Sequence, residues 1–263
     1  MIKVDGVIVN TNAKFPDGSL AMKAPTPMGN KYMCFEWHYE NDAELFALIC
    51  LRRHYSYAEV TLLMPYCPHA RLDRVKDPND IFTLKYFCEI INSLNFKAVI
   101  INDVHSYVAP ALLNNVSNYF PVAEIDEALN RFDRGHTALF FPDEGAMKRY
   151  GDKFKYYPQA FGIKKRDWTT GQILGLNIQE AQNIEGKDVL IVDDICSRGG
   201  TFVAAAKALK EAGAKRIGLY ITHCENTILQ GEVFTSGLIS KVYTTDTLVH
   251  CDELKEKVVY VND

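Results

Sequence analysis

VLIVDDICSRGGT, residues 189–201, is the stretch that decides the fold. Apolar and mostly β-branched residues run into Asp193 and Asp194, and a short Ser-Arg-Gly-Gly-Thr turn leads into the helix-like run 202–212. Glycines let backbone N–H groups approach an anion closely, and a helix N-terminus adds about half a positive charge. The two carboxylates could hold ribose hydroxyls or a hard divalent cation. The order strand, acid pair, small loop and helix therefore favours a sugar-phosphate site over an ordinary strand-to-helix turn.

The composition is that of a globular protein with no general attraction to polyanions. Its 263 residues suit one large or two small domains, and 48% of them are hydrophobic. The net charge of -4 means that any phosphate binding must be local. Seven cysteines without a C-x-x-C pair argue against a disulfide framework or a zinc site. The first residues, MIKVDGVIVN, lack a secretion signal, and we expect a cytoplasmic protein that binds neither nucleic acid nor membrane.

Hydrophobic periodicity predicts an α/β protein. Strands are predicted at residues 2–9, 31–35, 60–64, 98–101, 137–141, 188–192, 216–222, 238–243 and 258–261, with another beginning at 155–157. Helices are predicted at 41–54, 81–94, 144–150 and 199–212, and a weaker one at 227–235. Segment 162–171 has no apolar periodicity and is predicted to be an exposed, mobile loop. Alternating strands and helices imply mainly parallel sheets flanked by helices, and a composition change at 115–120 predicts two similar halves, residues 1–118 and 119–263.

A second candidate binding segment is YCPHARLDR, residues 66–74. It follows a predicted buried strand, which is where α/β sheets place their ligand loops. Arg71 and Arg74, with Asp73 between them, could clamp a phosphate group bidentately. A solvated surface loop would have the same composition, and these residues alone leave the two alternatives open.

Taken together, these segments resemble the ribose-phosphate diphosphokinase (PRPP synthetase) family. Residues 189–201 resemble the phosphoribosyl-diphosphate loop, which phosphoribosyltransferases share, with Ser197-Arg198 where Asp-Thr is usual. The diphosphokinase pattern also contains Pro-Tyr, then Ala-Arg-x-Asp-Arg, Leu-Lys and Asp-x-His, found here at 65–66, 70–74, 84–85 and 103–105. A phosphoribosyltransferase would have no reason to carry that second pattern. Further matches at 41–53, 142–149, 164–166, 222–223 and 245–247 extend the resemblance over about residues 15–247.

The resemblance implies two phosphoribosyltransferase-type domains, an N-terminal ATP-binding half and a C-terminal ribose 5-phosphate half. The ATP-binding residues would be Phe15, Asp17, Arg71, Asp73, Arg74 and His105. The ribose 5-phosphate-binding residues would be Asp193, Asp194, Ser197, Arg198, Gly199, Gly200 and Thr201. The ligands of Mg²⁺, the implied cofactor, would be His105, Asp143, Asp193 and Asp194. Lys164 and Arg166 would be catalytic and would close over the diphosphoryl group during its transfer from ATP to the sugar.

The same resemblance implies a homo-oligomer, a dimer or larger, because the family's counterpart of Phe15 and Asp17 reaches into a neighbouring subunit. Two alternatives remain open: a phosphoribosyltransferase that uses PRPP, and a non-catalytic regulatory subunit associated with PRPP synthetase. The chain departs from the family pattern at Ser19, where Glu is usual, and it ends without the family's terminal helix, as expected of a shortened member. We also predict that Arg198 turns inward, which would make the loop about two charges more positive and strengthen phosphate binding.

Overall fold

The computed structural model describes residues 1–25, 29, 31–166 and 173–261. The chain divides into two compact units, which we call unit 1 (Met1–Phe120 with Thr247–Val249) and unit 2 (Pro121–Asp246 with His250–Asp263). Within the described residues, no helix is long and apolar enough to cross a lipid bilayer.

Unit 1 is built on a six-stranded sheet, counted over the described residues, with strand order β2-β1-β3-β4-β5-β6. Its strands are β1 (Ile2–Val4), β2 (Val7–Val9), β3 (Tyr32–Trp37), β4 (Glu59–Leu63), β5 (Ala98–Asn102) and β6 (Val116–Tyr119). Its helices are α1 (Ala43–His54), α2 (Thr83–Ser93) and α3 (Val108–Leu112). Strands β3 to β6 are parallel, whereas β1 pairs antiparallel with β2 and β3. Helix α2 buries Leu84, Phe87, Cys88 and Ile91, at the helical spacing that the sequence shows.

Unit 2 is built on a seven-stranded sheet, again counted over the described part of the chain, with order β13-β12-β11-β10-β7-β8-β9. Its strands are β7 (Thr137–Phe141), β8 (Gln159–Arg166), β9 (Ile173–Gln179), β10 (Asp188–Cys196), β11 (Ile217–Cys224), β12 (Lys241–Thr244) and β13 (Val258–Tyr260). Its helices are α4 (Val122–Leu129), α5 (Glu144–Tyr150), α6 (Gly200–Glu211) and α7 (Asp252–Lys257). The β8–β9 pair is antiparallel, and the other neighbouring pairs are parallel. Apolar clusters cover both faces of β10, as its continuous hydrophobic run requires.

The structure corrects several predicted elements. Segment 155–157 is not a strand, because a short 3-10 helix (Gly151–Phe154) and a turn occupy that region and β8 begins at Gln159. Residues 162–166 are not a loop, because β8 pairs with β9 along them. The rest of the predicted loop, residues 167–172, lies outside the described residues. The predicted strand 2–9 is broken by a turn at Asp5 and Gly6, both at positive φ, and the predicted helix 227–235 is a short 3-10 helix, Asn226–Gln230.

Candidate functional site

The acid pair lies inside β10 rather than after it. The predicted strand ended at residue 192, but the parallel pairing with β11 continues to Cys196↔Cys224 and includes Asp193↔Ile221. Because side chains alternate along a strand, Asp194 shares a face with Leu190 and Val192, and Asp193 points to the other face. The sheet therefore fixes the backbone of both acids.

Asp194 forms a buried ion pair with Arg149 of α5. The distance from Arg149 Nη1 to Asp194 Oδ2 is 2.8 Å, and the two side chains are 11% and 3% exposed. A buried carboxylate is costly unless a cation compensates it, and here the protein supplies that cation itself. In the sequence, Arg149 is only the last residue of the matched segment 142–149. Its partner, 45 positions further along the chain, becomes a neighbour only because α5 packs on the sheet.

Asp193 is influenced by two other acids, Asp194 and Asp143. Burial, followed by the charge of Asp194 and a smaller contribution from Asp143, raises the pKa of the Asp193 carboxyl well above its ordinary value. Asp143 begins α5, where its Oδ1 accepts a hydrogen bond of 3.1 Å from the N–H of Ala146. Crowded carboxylates are stabilised by a divalent cation, and Mg²⁺ prefers oxygen ligands, so this donor set fits Mg²⁺. Within the described residues, however, no three His, Cys, Asp or Glu side chains already converge as a complete metal site. Mg²⁺ keeps several water ligands, so fewer protein ligands can suffice.

The turn between β10 and α6 is closed on one side and open on the other. Gly199 has a φ of +76°, and a Cβ there would lie 2.2 Å from Cγ2 of Val233, so glycine is required for both conformation and space. A Cβ at Gly200 would meet nothing within 4 Å. Thr201 is exposed on the first turn of α6, where unpaired backbone N–H groups favour an anion. The open half of this turn has the chemistry of a phosphate cradle.

Ser197 and Arg198 do not have the orientations that the sequence suggested. The hydroxyl of Ser197 donates a 2.6 Å hydrogen bond to Oε2 of Glu225. A hydroxyl has one proton, so it cannot donate to a phosphate at the same time. Arg198 was predicted to turn inward, but its side chain is exposed and its Nη2 donates to Oε1 of Gln230 at 3.3 Å. The candidate phosphate donors that remain are Thr201 and the backbone amides.

In unit 1, a hydrogen-bonded network joins the basic loop 66–74 to the segment after β5. Asp73 accepts hydrogen bonds from Nε of Arg74 at 2.7 Å and from Oγ of Ser106 at 2.7 Å. These bonds, that of Arg74 above all, hold the pKa of the Asp73 carboxyl below its ordinary value. Ser106 directly follows His105, so the contact connects two of the predicted ATP-binding segments. Arg71 and His105 are both exposed.

Phe15 and Asp17 lie in a tight loop of unit 1 closed by a bridge between Lys14 and Leu20. The ring of Phe15 is 58% exposed. Ser19, which stands where the resembled family has Glu, donates to Oδ1 of Asp17 through its hydroxyl at 2.6 Å and its backbone N–H at 2.9 Å. These hydrogen bonds lower the pKa of the Asp17 carboxyl. Ser19 therefore orients Asp17, a local role that the sequence pattern did not indicate.

The predicted catalytic residues Lys164 and Arg166 lie on β8, not in a loop. Lys164 pairs with Leu176 of β9, and Arg166 pairs with Ile173. The register of the pairing shifts between Lys165 and Arg166. The backbone that carries these residues is thus an arm of antiparallel strands at the edge of the sheet.

Comparisons with known proteins agree with the resemblance read from the sequence. A family model described as phosphoribosyl transferase domain matches residues 153–233. The chain is 28% identical over 253 residues to ribose-phosphate pyrophosphokinase 2 of Archaeoglobus fulgidus, covering 94% of this chain and 86% of that protein. It is 29% identical over 227 residues to the ribose-phosphate pyrophosphokinase of Haemophilus influenzae, covering 82% and 70%.

A solved structure shares the fold. The crystal structure of phosphoribosylpyrophosphate synthetase from Mycobacterium smegmatis matches with a TM-score of 0.76 at 15% sequence identity, covering 94% of this chain and 84% of that one. The predicted fold class and the predicted resemblance are both confirmed.

Proposed function

We propose that this chain is a ribose-phosphate diphosphokinase, which transfers the diphosphoryl group of MgATP to the anomeric hydroxyl of ribose 5-phosphate, giving PRPP and AMP. Curated ribose-phosphate pyrophosphokinases resemble it over 82% to 94% of its length. ATP and ribose 5-phosphate are then its substrates, and Mg²⁺ its cofactor. We further propose that the protein is cytoplasmic and forms a homo-oligomer. Sedimentation at assay concentration tests the oligomeric state.

One observation favours this reaction over that of a phosphoribosyltransferase. In unit 1, Asp73 holds Arg74 and Ser106 together, which connects the basic loop to the segment of His105. A phosphoribosyltransferase needs an acid pair and a phosphate loop, which unit 2 alone supplies. A second segment that contains arginines and a histidine suits the binding of a nucleoside triphosphate, because arginine donates bidentate hydrogen bonds to phosphate groups.

The chemistry of such a transfer suits these side chains. Phosphoryl-type transfer depends on positioning and charge neutralisation more than on covalent catalysis. Asp193 would hold ribose hydroxyls, while Thr201 and the adjacent backbone amides would hold the 5-phosphate. Arg71 and Arg74 would bind ATP phosphates, and Lys164 and Arg166 would stabilise the charge that develops on the transferring group.

Within unit 2, Asp193 and Asp194 would hold one Mg²⁺ ion. The family resemblance further implies His105 and Asp143 as ligands of the ion of MgATP. When bound, Mg²⁺ neutralises phosphate charge. Asp194 would take part with its charge already compensated by Arg149.

The test is product analysis by chromatography after mixing the protein with ATP, Mg²⁺ and ribose 5-phosphate. We expect AMP only when Mg²⁺ and ribose 5-phosphate are both present. A Lys164→Ala preparation made in parallel controls for contaminating enzymes. Formation of ADP would mean transfer of the γ-phosphoryl group and would overturn the mechanism. Base-dependent consumption of PRPP without AMP formation would instead identify a phosphoribosyltransferase, and binding without either reaction would indicate a regulatory subunit.

A further inference from the structure

Glu225 lies beside the turn that joins β10 to α6, although it belongs to the segment after β11. The pairing of Cys196 with Cys224 sets the two strand ends side by side, and the N–H of Glu225 donates to the carbonyl of Cys196 at 2.9 Å. The Glu225 carboxylate then accepts from Oγ of Ser197 at 2.6 Å and from Oγ1 of Thr227 at 3.0 Å. This geometry places a negative charge next to a turn that the sequence presents as positive.

We propose that Glu225 is a positioning residue of the ribose 5-phosphate site, which fixes the first half of the turn so that its second half binds the phosphate. The inference rests on the proposed function, because it takes residues 199–201 as the phosphate cradle. Glu225 acts through Ser197 and does not itself contact the substrate.

The first argument is the single proton of the Ser197 hydroxyl. A carboxylate can only accept, so Ser197 must be the donor in the 2.6 Å contact. Charge-assisted O–H···O⁻ bonds of this length are stronger than bonds between neutral groups. Ser197 is therefore held by Glu225 and is not available to donate to a phosphate dianion.

The second argument is that the bracing continues along the turn. After Ser197, the side chain of Arg198 donates to Gln230, and the carbonyl oxygen of Arg198 would lie 1.8 Å from a Cβ at Gly231. Gly199 next approaches Val233 so closely that it also excludes a Cβ. The segment 225–233 thus contacts three successive residues of the turn. An anion site needs such preorganisation, because donors that are already fixed lose little entropy on binding.

Charge acts in the opposite direction, because a carboxylate beside the cradle repels a phosphate dianion, so weaker binding by Glu225→Ala would report positioning and not charge. In place of the usual Asp-Thr, Ser197-Arg198 removes one negative charge from the turn and adds one positive charge. Glu225 returns one carboxylate to the same place through space, so the charge beside the cradle differs by about one unit rather than the two that the sequence suggests. The 5-phosphate then depends chiefly on backbone amides and Thr201.

The experiment measures binding of ribose 5-phosphate by isothermal titration calorimetry, so that it does not depend on turnover. For Glu225→Ala, we expect the dissociation constant to rise about tenfold to a hundredfold, the range for loss of a hydrogen bond to a charged group. Binding of MgATP should remain within about twofold. Glu225→Gln retains an acceptor oxygen and should weaken ribose 5-phosphate binding by less than Glu225→Ala. Glu211→Gln, on the exposed end of α6, is the matched control and should bind like the wild type.

A double variant separates positioning from a general effect on folding. If Glu225 acts through Ser197, the Ser197→Ala/Glu225→Ala protein should bind ribose 5-phosphate no more weakly than Glu225→Ala alone. Additive losses, or a native melting temperature with an unchanged dissociation constant in Glu225→Ala, would overturn the proposal. If Glu225→Ala does not fold, Ser197→Ala and Glu225→Gln carry the test, and wild-type affinity in both overturns it. A wild-type protein that binds ribose 5-phosphate without forming AMP would refute the proposed function but not this inference, whereas absence of binding would refute both.

Discussion

Replacing Arg149 by methionine should destabilise unit 2 by about 3–5 kcal/mol, because it strands the buried charge of Asp194. The magnitude follows from the geometry: an Nη1–Oδ2 distance of 2.8 Å between side chains that are 11% and 3% exposed. Methionine keeps much of the apolar stem of arginine, so little of the loss should come from packing. Total stabilities of domains are about 5–15 kcal/mol, so the effect should be large.

The assay is denaturant unfolding combined with hydrogen exchange of the amides in β10 and α5, which report on unit 2 alone. The matched control is Arg131→Met, which breaks the exposed ion pair between Arg131 and Glu127. That pair has a similar distance of 2.7 Å, but its side chains are 55% and 42% exposed. An exposed pair contributes about 0–1 kcal/mol, so the two variants isolate the effect of burial.

A second substitution tests the cause. Asp194→Asn in the Arg149→Met background removes the stranded charge, so the double variant should be less destabilised than the sum of the two single variants by about 0.5–3 kcal/mol. Equal losses in the free energy of unfolding for Arg149→Met and Arg131→Met would refute the reasoning. So would strict additivity in the double variant, because it would mean that the two side chains do not stabilise each other.

Two further predictions concern catalysis and pH. Lys164→Ala and Arg166→Ala should each lower kcat by roughly 10²-fold or more with a smaller change in KM, because positive charge next to the transferring group acts mainly in the transition state. Steady-state kinetics measures both constants, and an effect confined to KM would contradict the prediction. Burial lowers the pKa of the His250 imidazole, whose Nε2 donates to the carbonyl of Cys224 at 2.7 Å. As the pH falls, His250 is therefore protonated in the unfolded chain before it is protonated in the folded protein. The free energy of unfolding should decrease as the pH drops below the ordinary histidine pKa of about 6.5. His250→Gln should flatten this part of the denaturation midpoint plotted against pH, and an unchanged slope would exclude His250 as its source.

The parts of the fold that could be predicted are those whose signals are local. β7 and α5 have the bounds that the sequence indicates, Thr137–Phe141 and Glu144–Tyr150. An uninterrupted apolar run marks that strand, and Asp143 caps the helix that follows. The start of α6 was likewise predicted to within one residue, because a glycine turn precedes it.

The parts that escaped prediction depend on partners distant in the sequence. β8 carries Lys164, Lys165 and Arg166 and has no apolar pattern there, but antiparallel pairing with β9 makes this segment a strand. β10 continues through the acid pair because β11 lies beside it as far as Cys224. In both cases tertiary pairing overrides a local pattern that suggested an earlier end or a loop.

The candidate site shows the same division between local and distant signals. A motif lists residues that follow one another, whereas the field at a bound phosphate sums every charge nearby, whichever strand carries it. From the sequence alone, Ser197-Arg198 therefore indicates a gain of positive charge. Parallel pairing nevertheless brings the carboxylate of Glu225, 28 positions further along the chain, to 2.6 Å from the Ser197 hydroxyl. Arg149 compensates Asp194 in the same way, so the formal charge of the acid pair also overstates what a ligand meets. In each case the motif lies on or directly after one strand, and a residue on or directly after a neighbouring strand or helix compensates its charge. A substitution within a motif therefore changes the charge of a site only by the part that neighbouring residues do not compensate.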